Sequence, residues 1–262
     1  MIFTLNNDNF AKNDLPMKTL RILFLASMMI LPFLAFAQTP MVYLKGDSLN
    51  KMNAQNLKTG FWMERNGEYT HHGYYIDSKK NGNWATFLSN DMLFKLETWK
   101  NGVKDGISLQ FDRKSKLTGL ENYKDGALNG LCVYYAPASD FPQKEMNYNM
   151  GKLEGLSRIF YENGKIQEES FYKDNLKSGP SRWYNKNGRM IAMYNYQNGN
   201  FEGMQRTYYE NDTTQSISNY SLNLLNGEYK EYYRNGVLKV TGKYLNGLKE
   251  GDWSSTMRPE TA

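Results

Sequence analysis

Thiol chemistry has almost no footing in this sequence. Cys132 is the one cysteine among 262 residues. That excludes an intramolecular disulfide and any cysteine-cluster metal site, and leaves Cys132 to read as a small buried hydrophobe. Histidine is nearly as scarce, with His71 and His72 the only two. Neighbours on a strand point to opposite faces, so this pair does not converge on one metal, and the spacings of zinc sites are absent. No Gly-Lys-Ser/Thr stretch opens a helix, so the glycines do not read as a phosphate loop. A nucleophile–base triad has no candidate in a linear array that keeps distant residues apart. Glu168 and Glu169 are adjacent, which reads as two solvated carboxylates on opposite faces rather than an acid/base couple. The expectation is a non-enzyme, without catalytic residues, metal or cofactor. The formal net charge of +5 falls far short of the basic footprint of a nucleic-acid binder, so no nucleic-acid partner is expected.

Long apolar runs are also lacking, with one exception near the start. From Met17 the chain reads MKTLRILFLASMMILPFLAFAQTP. Lys18 and Arg21 form a basic region, Ile22 to Phe36 an apolar one, and Ala35-Phe36-Ala37 a small-x-small cleavage pattern. The run is too short for a membrane span and contains Pro32. It reads as a secretory signal region over residues 1–37, cleaved between Ala37 and Gln38, with Met17 an alternative start. The expected location is periplasmic or extracellular. What remains divides into a lead-in at 38–57, an array at 58–254 and a short tail at 255–262.

Aromatic residues, by contrast, are plentiful at 15 %, with 20 Tyr, 13 Phe and 5 Trp, although the mean hydropathy is only −0.70. Tyrosine suits a half-buried surface better than a sealed interior. These rings recur. Taking glycine as an anchor gives Gly60, Gly82, Gly106, Gly130, Gly155, Gly179, Gly203, Gly227 and Gly251, with gaps of 22, 24, 24, 25, 24, 24, 24 and 24 residues. An aromatic stands seven residues before every anchor from Gly82 onward, as in Tyr172, Tyr196 and Tyr220. Another stands five residues after each anchor from Gly82 to Gly227, beginning with Phe87. Asn-Gly pairs such as Asn163-Gly164 fall nine residues after the anchor, and Gly or Asn falls four before it.

Gly and Asn tolerate positive φ, and Asn-Gly between aromatic and β-branched runs signals a hairpin. The period therefore predicts strand, tight turn, strand, and a return turn around Gly-x-x-x-Gly. The fold class is all-β, an elongated single-layer antiparallel meander of about eight 24-residue β-hairpin repeats. At ~4.8 Å per strand, such a sheet extends roughly 75–80 Å. One unit departs from the pattern: Ala136 to Gln143, APASDFPQ, predicts a loop projecting from the sheet edge.

Units such as YENGKIQEESFYKDNLKSG and YRNGVLKVTGKYLNGLKEG resemble the MORN repeat, and more closely its bacterial variant, over about residues 58–254. The resemblance implies a scaffold, a dimerisation surface or a membrane-proximal adaptor. Some bacterial members of the variant carry an antitoxin assignment, a role at odds with an export signal. MORN arrays elsewhere adjoin kinase or methyltransferase domains, and none is expected here.

One column suggests recognition. Three residues after the anchor the chain has Ala85, Leu109 and Val133, then Arg158, Arg182, Arg206 and Lys230. If no bulge intervenes, this basic row shares a strand face with Phe160, Tyr184, Tyr208 and Tyr232. It could grip an anionic envelope polymer, lipid headgroups or an acidic partner. The alternative is that the cations lie over neighbouring rings and pair with Glu162, Glu168 or Glu210. The functional expectation is an exported scaffold for protein–protein interaction in the cell envelope. The alternatives are binding to an anionic polymer or membrane surface, and an antitoxin-type role. An exposed edge strand offers a route to a homodimer.

Overall fold

The structure, a computed structural model, describes residues 49–257 except Ala138. The signal-like segment 1–37, residues 38–48 of the lead-in and residues 258–262 of the tail lie outside the described residues.

Every described strand belongs to one antiparallel sheet of 21 strands paired in chain order, except that the two-residue strands Ala127–Leu128, Lys152–Leu153 and Asn200–Phe201 pair only with the strand before them. The repeat anchored on Gly179 shows how the chain builds one hairpin. Strand Leu176–Tyr184 leads into a loop where the Asn185 N–H donates to the Arg189 carbonyl (2.9 Å) and the Gly188 N–H to the Asn185 carbonyl (2.8 Å). Gly188 lies at φ 84°, the left-handed residue that closes a three-residue hairpin loop. The Asn185 side chain fixes this loop by accepting from the N–H groups of Asn187 and Arg189. Strand Met190–Gln197 follows and ends at Asn198-Gly199, where both residues have positive φ, 50° and 82°. That is a type I′ turn, whose twist matches the strands it joins. The two-residue turn therefore sits at the return, where the sequence pattern suggested Gly-x-x-x-Gly. The Asn-Gly pairs such as Asn163-Gly164 belong to the longer loop.

The anchor glycine itself is not in a turn. Ser170 faces Ser181 and Tyr172 faces Lys177, so the strand carrying Gly179 holds two more residues than its partner over this span. Gly179 adopts φ 97° in that bulge. All nine anchors have positive φ, which is why the column admits only glycine. A two-residue excess preserves side-chain alternation, so Lys177 and Ser181 project from the same face.

Neighbouring repeats are tied along both margins of the sheet. On the return side, the N–H groups of Gly102, Gly126, Gly199 and Gly247 each donate to the carbonyl two residues before the previous anchor, all at 2.8 Å. On the loop side, Tyr161 and Tyr209 donate their hydroxyls to the carbonyls of Tyr184 and Tyr232, both at 2.8 Å. The loop at Ala136–Gln143 is tied in as well and does not project freely. Asp140 pairs with Lys116 (2.9 Å), and the Phe141 ring covers Gly164, where an added Cβ would lie 2.6 Å from the ring.

Buried residues lie on both faces, with Phe61, Ala85, Leu109 and Phe111 on one and a continuous column on the other. Two residues after the anchors stand Trp62, Trp84, Ser108, Cys132, Ser157, Ser181 and Gln205, all of them buried. Trp84 and Tyr75 meet edge to face at 4.8 Å, and Trp62 packs on Tyr75 at 5.8 Å. At the far end Trp253 meets Tyr244 at 4.9 Å. Each such pair contributes ~0.5–1.5 kcal/mol beyond its buried area. The large rings thus seal the two ends of the column, while small residues fill its middle.

The two ends differ at the backbone. At the N-terminal end, Lys51 and Met52 pair with Thr59 and Lys58. The Asn50 side-chain amide then accepts from the Met63 N–H (2.9 Å) and donates to its carbonyl (3.2 Å). At the C-terminal end, Leu248–Ser255 pairs only with Leu238–Leu245 among the described residues.

Candidate interaction faces

The face holding the buried column also carries a column of cations that sequence reasoning missed. Two residues before the anchors stand Lys58, Lys80, Lys104, Lys177 and Lys249. Each ammonium lies over a ring of this face: Lys80 over Trp84 (4.3 Å) and Trp99 (4.9 Å), Lys104 over Tyr123 (4.6 Å), Lys177 over Trp183 and Tyr196 (both 5.2 Å). Burial pushes the Lys80 ammonium below its ordinary pKa despite nearby Glu97 and Glu64. The column was legible in the anchor alignment, but Leu128, Leu153, Phe201 and Leu225 interrupt it.

Glutamates on this face compensate the lysines. Lys95 and Lys104 reach Glu97 at 3.0 and 2.9 Å. Burial works against the Glu97 charge, yet hydrogen bonds from Lys104 and Lys95 hold its carboxyl below the usual range. Lys177 reaches Glu168 at 2.5 Å, and Ser170 donates to the same oxygen at 2.6 Å while sharing a hydrogen bond with Ser181. Glu64 takes Lys58 and Glu231 takes Lys239. Burial and the Glu64 charge together push the Tyr75 hydroxyl up to about 12.

The opposite face holds the predicted basic row. Cross-strand pairing runs Glu145–Arg158–Glu169–Arg182–Met193–Arg206–Ile217–Lys230 without a break. Upstream the same line continues through Ala85, Leu96, Leu109, Leu120 and Val133. Bulges do occur beside Phe160, Tyr184, Tyr208 and Tyr232, but the skipped residue lies on the partner strand, Ile191 in the case of Tyr184. Alternation within the aromatic strand survives, so each ring shares a face with its cation. Tyr184 and Arg158 both bond to Glu169, at 3.2 and 2.9 Å.

The acidic partners differ from those the sequence suggested. Arg158 pairs with Glu169 and Glu145, and Lys230 with Glu228. Glu168 is on the other face, bonded to Lys177. Arg182 and Arg206 form no ion pair among the described residues, and the Nε of Arg206 is buried without a partner. The cation–π contacts belong mainly to the lysine column of the packed face. His71 bonds Thr86 (3.0 Å), whereas His72 lies against Phe87 (4.9 Å between ring centres), so the two imidazoles serve opposite faces.

Residues 153–174 and 225–246 match the family model of the MORN repeat variant. These are MORN-variant repeats. The matched segments lie three 24-residue periods apart, and the hairpin geometry described for Gly179 recurs between and around them. No curated protein matches the sequence. MORN repeats are generally protein- or membrane-interaction modules, and the family is typically a non-enzymatic scaffold.

Proposed function

We propose that the chain is an exported, non-enzymatic scaffold that docks a partner protein of the cell envelope on the sheet face opposite the buried column. The observation that carries this reading is the composition of one cross-strand row. It is apolar from Ala85 to Val133, where Ala85 and Leu109 are buried and Leu96, Leu120 and Val133 are half-buried, then mixes Glu145 and Glu169 with Arg158, Arg182, Arg206 and Lys230. A uniform polyanion would meet the two carboxylates as well as the cations, and two of the four cations are already neutralised. A folded protein can match an apolar stretch followed by alternating charge. Export is supported by Lys18, Arg21, the apolar run to Phe36 and Ala35-Phe36-Ala37.

A photo-crosslinking residue at Met193 on this face, and another at Thr207 on the packed face, tests the reading in cells that produce the protein. One partner should be captured from Met193 and not from Thr207, and reversing Arg182 and Arg206 to glutamate should abolish capture. Unchanged capture after reversal would overturn the reading. So would binding of purified wall polymer or anionic liposomes that the same reversal removes.

A further inference from the structure

Three described glycines, Gly73, Gly119 and Gly242, have φ outside the left-handed region. Backbone conformation does not explain them. Two are explained by packing, since an added Cβ would lie 2.3 Å from the Trp84 ring at Gly73 and 2.3 Å from the Trp253 ring at Gly242. At Gly119 no ring comes that close. The nearest atoms to an added Cβ are Gln110 Cβ and Tyr134 Cδ1, both at 3.9 Å. What the glycine leaves is a cavity of about 230 Å³ lined by Ser108, Gln110, Thr118, Gly119, Glu121 and Tyr134.

The repeat period shows what this cavity has lost. Glu121 stands 24 residues after Glu97, Gly119 after Lys95 and Leu128 after Lys104. Both lysines that neutralise Glu97 are therefore missing one repeat later, and the carboxylate remains. Glu64, Glu97, Glu168 and Glu231 on this face each hold a lysine ammonium, whereas Glu121 forms no ion pair among the described residues. Its oxygens accept one hydroxyl each, from Tyr123 (2.9 Å) and Tyr134 (3.3 Å). A carboxylate offers about four lone-pair sites, so acceptor capacity is left toward the cavity.

We propose that the cavity over Gly119 receives a primary alkylammonium, the side chain of a lysine on a partner protein, with Glu121 as its counter-ion. The volume vacated by the Lys95 equivalent accommodates the four-carbon stem beside the Tyr134 ring, and the ammonium takes the place that Lys95 and Lys104 occupy around Glu97. The inference rests only on the interaction-scaffold part of that reading, and it adds a second, separate protein contact at Gly119 on the packed face. It stands apart from the row containing Arg182 and Arg206.

The test is a titration of the intact protein with Nα-acetyl-L-lysine N-methylamide, followed through the backbone amide resonances of Gly119 and Tyr134. The expected result is a saturable shift, absent with the Nε-acetylated probe. Glu121→Gln should weaken binding roughly tenfold or more, the scale of a charged hydrogen bond. Gly119→Lys should abolish it by restoring the internal cation. Leu128→Lys restores the other cation without altering a residue of the cavity and should also abolish binding, which guards against misfolding of the Gly119 variant. Thermal melts establish that each variant is folded. Equal response to the acetylated probe, no response at all, or binding that survives Glu121→Gln and Leu128→Lys would each overturn the proposal. Because the probe is a small molecule, failure to find a partner protein would count against the scaffold reading and leave this result standing.

Discussion

Gly73 and Trp84 make a sharp test of how the end of the array is packed. A Cβ at Gly73 would lie 2.3, 2.4 and 2.6 Å from three atoms of the Trp84 indole, a rigid group that is 2 % exposed and tethered by its N–H to the Tyr74 carbonyl (3.1 Å). Neither partner can yield cheaply, so Gly73→Ala should cost ~2–3 kcal/mol, the upper part of the range for overpacking. Trp84→Ser, which installs the residue found one repeat later at Ser108, should cost ~3–5 kcal/mol as the buried ring is lost. In the double variant the clash disappears. Since Gly73 is not in the left-handed region, alanine then gains ~0.4–1 kcal/mol from the restricted unfolded chain. The double variant should therefore be no less stable than Trp84→Ser alone, with a coupling of about 3 kcal/mol. Urea unfolding of the four proteins measures it. Native-state hydrogen exchange should place the loss in strands Lys58–Asn66 to Lys79–Leu88, because stacked repeats pass energy mainly to their neighbours. Additive costs, or an unchanged midpoint for Gly73→Ala, would refute the packing argument.

Other outcomes follow from the same geometry. Glu97 has a lowered folded-state pKa, so its stabilisation is complete above the ordinary carboxylate range and is lost as pH falls through its own value. The stability advantage of the wild type over Glu97→Gln should therefore shrink on acidification below that range, as read from melts between neutral and acidic pH. At the return turn, Gly199→Asn should be nearly neutral, because Asn175 and Asn223 hold φ 70° and 69° at the equivalent position. Gly199→Val, a β-branched residue at φ 82°, should cost ~1–3 kcal/mol in the same melts. Cys132 is fully buried and burial holds its thiol up, so a thiol reagent should label it only after denaturant opens the sheet. Labelling of the native protein at a free-thiol rate would contradict that placement.

The sequence carried the architecture because glycine, asparagine and tyrosine at fixed spacing leave few alternatives to stacked hairpins. It was less clear about which turn was which. Asn163-Gly164 has the letters of a two-residue turn, yet Phe160 pairs with Ile166 and the Tyr161 N–H donates to the Lys165 carbonyl, which makes it part of a longer loop. The packed face was harder to read because its central column changes chemistry along the array, from Trp84 through Ser108 and Cys132 to Gln205. Such a column is defined by size and position rather than residue type. The cation row was visible, but its counter-ions were not. Whether Glu168 or Glu169 faces Arg158 turns on a single residue of register, which only the strand pairing fixes.

The Asn50 side chain, which occupies the backbone groups of Met63, also limits how copies of this chain can combine. A sheet open at both ends would recruit copies head to tail without limit. Here the N-terminal edge is already engaged, so Leu248–Ser255 is the one long edge left open among the described residues. A copy that added there would use up the one long open edge among the described residues, and growth would stop at a two-fold pair instead of continuing into a fibre. The short segment before the array thus caps one edge against strand addition, and deleting residues 49–57 should leave both ends of the sheet open to it, which the oligomeric state of the truncated protein in solution would reveal.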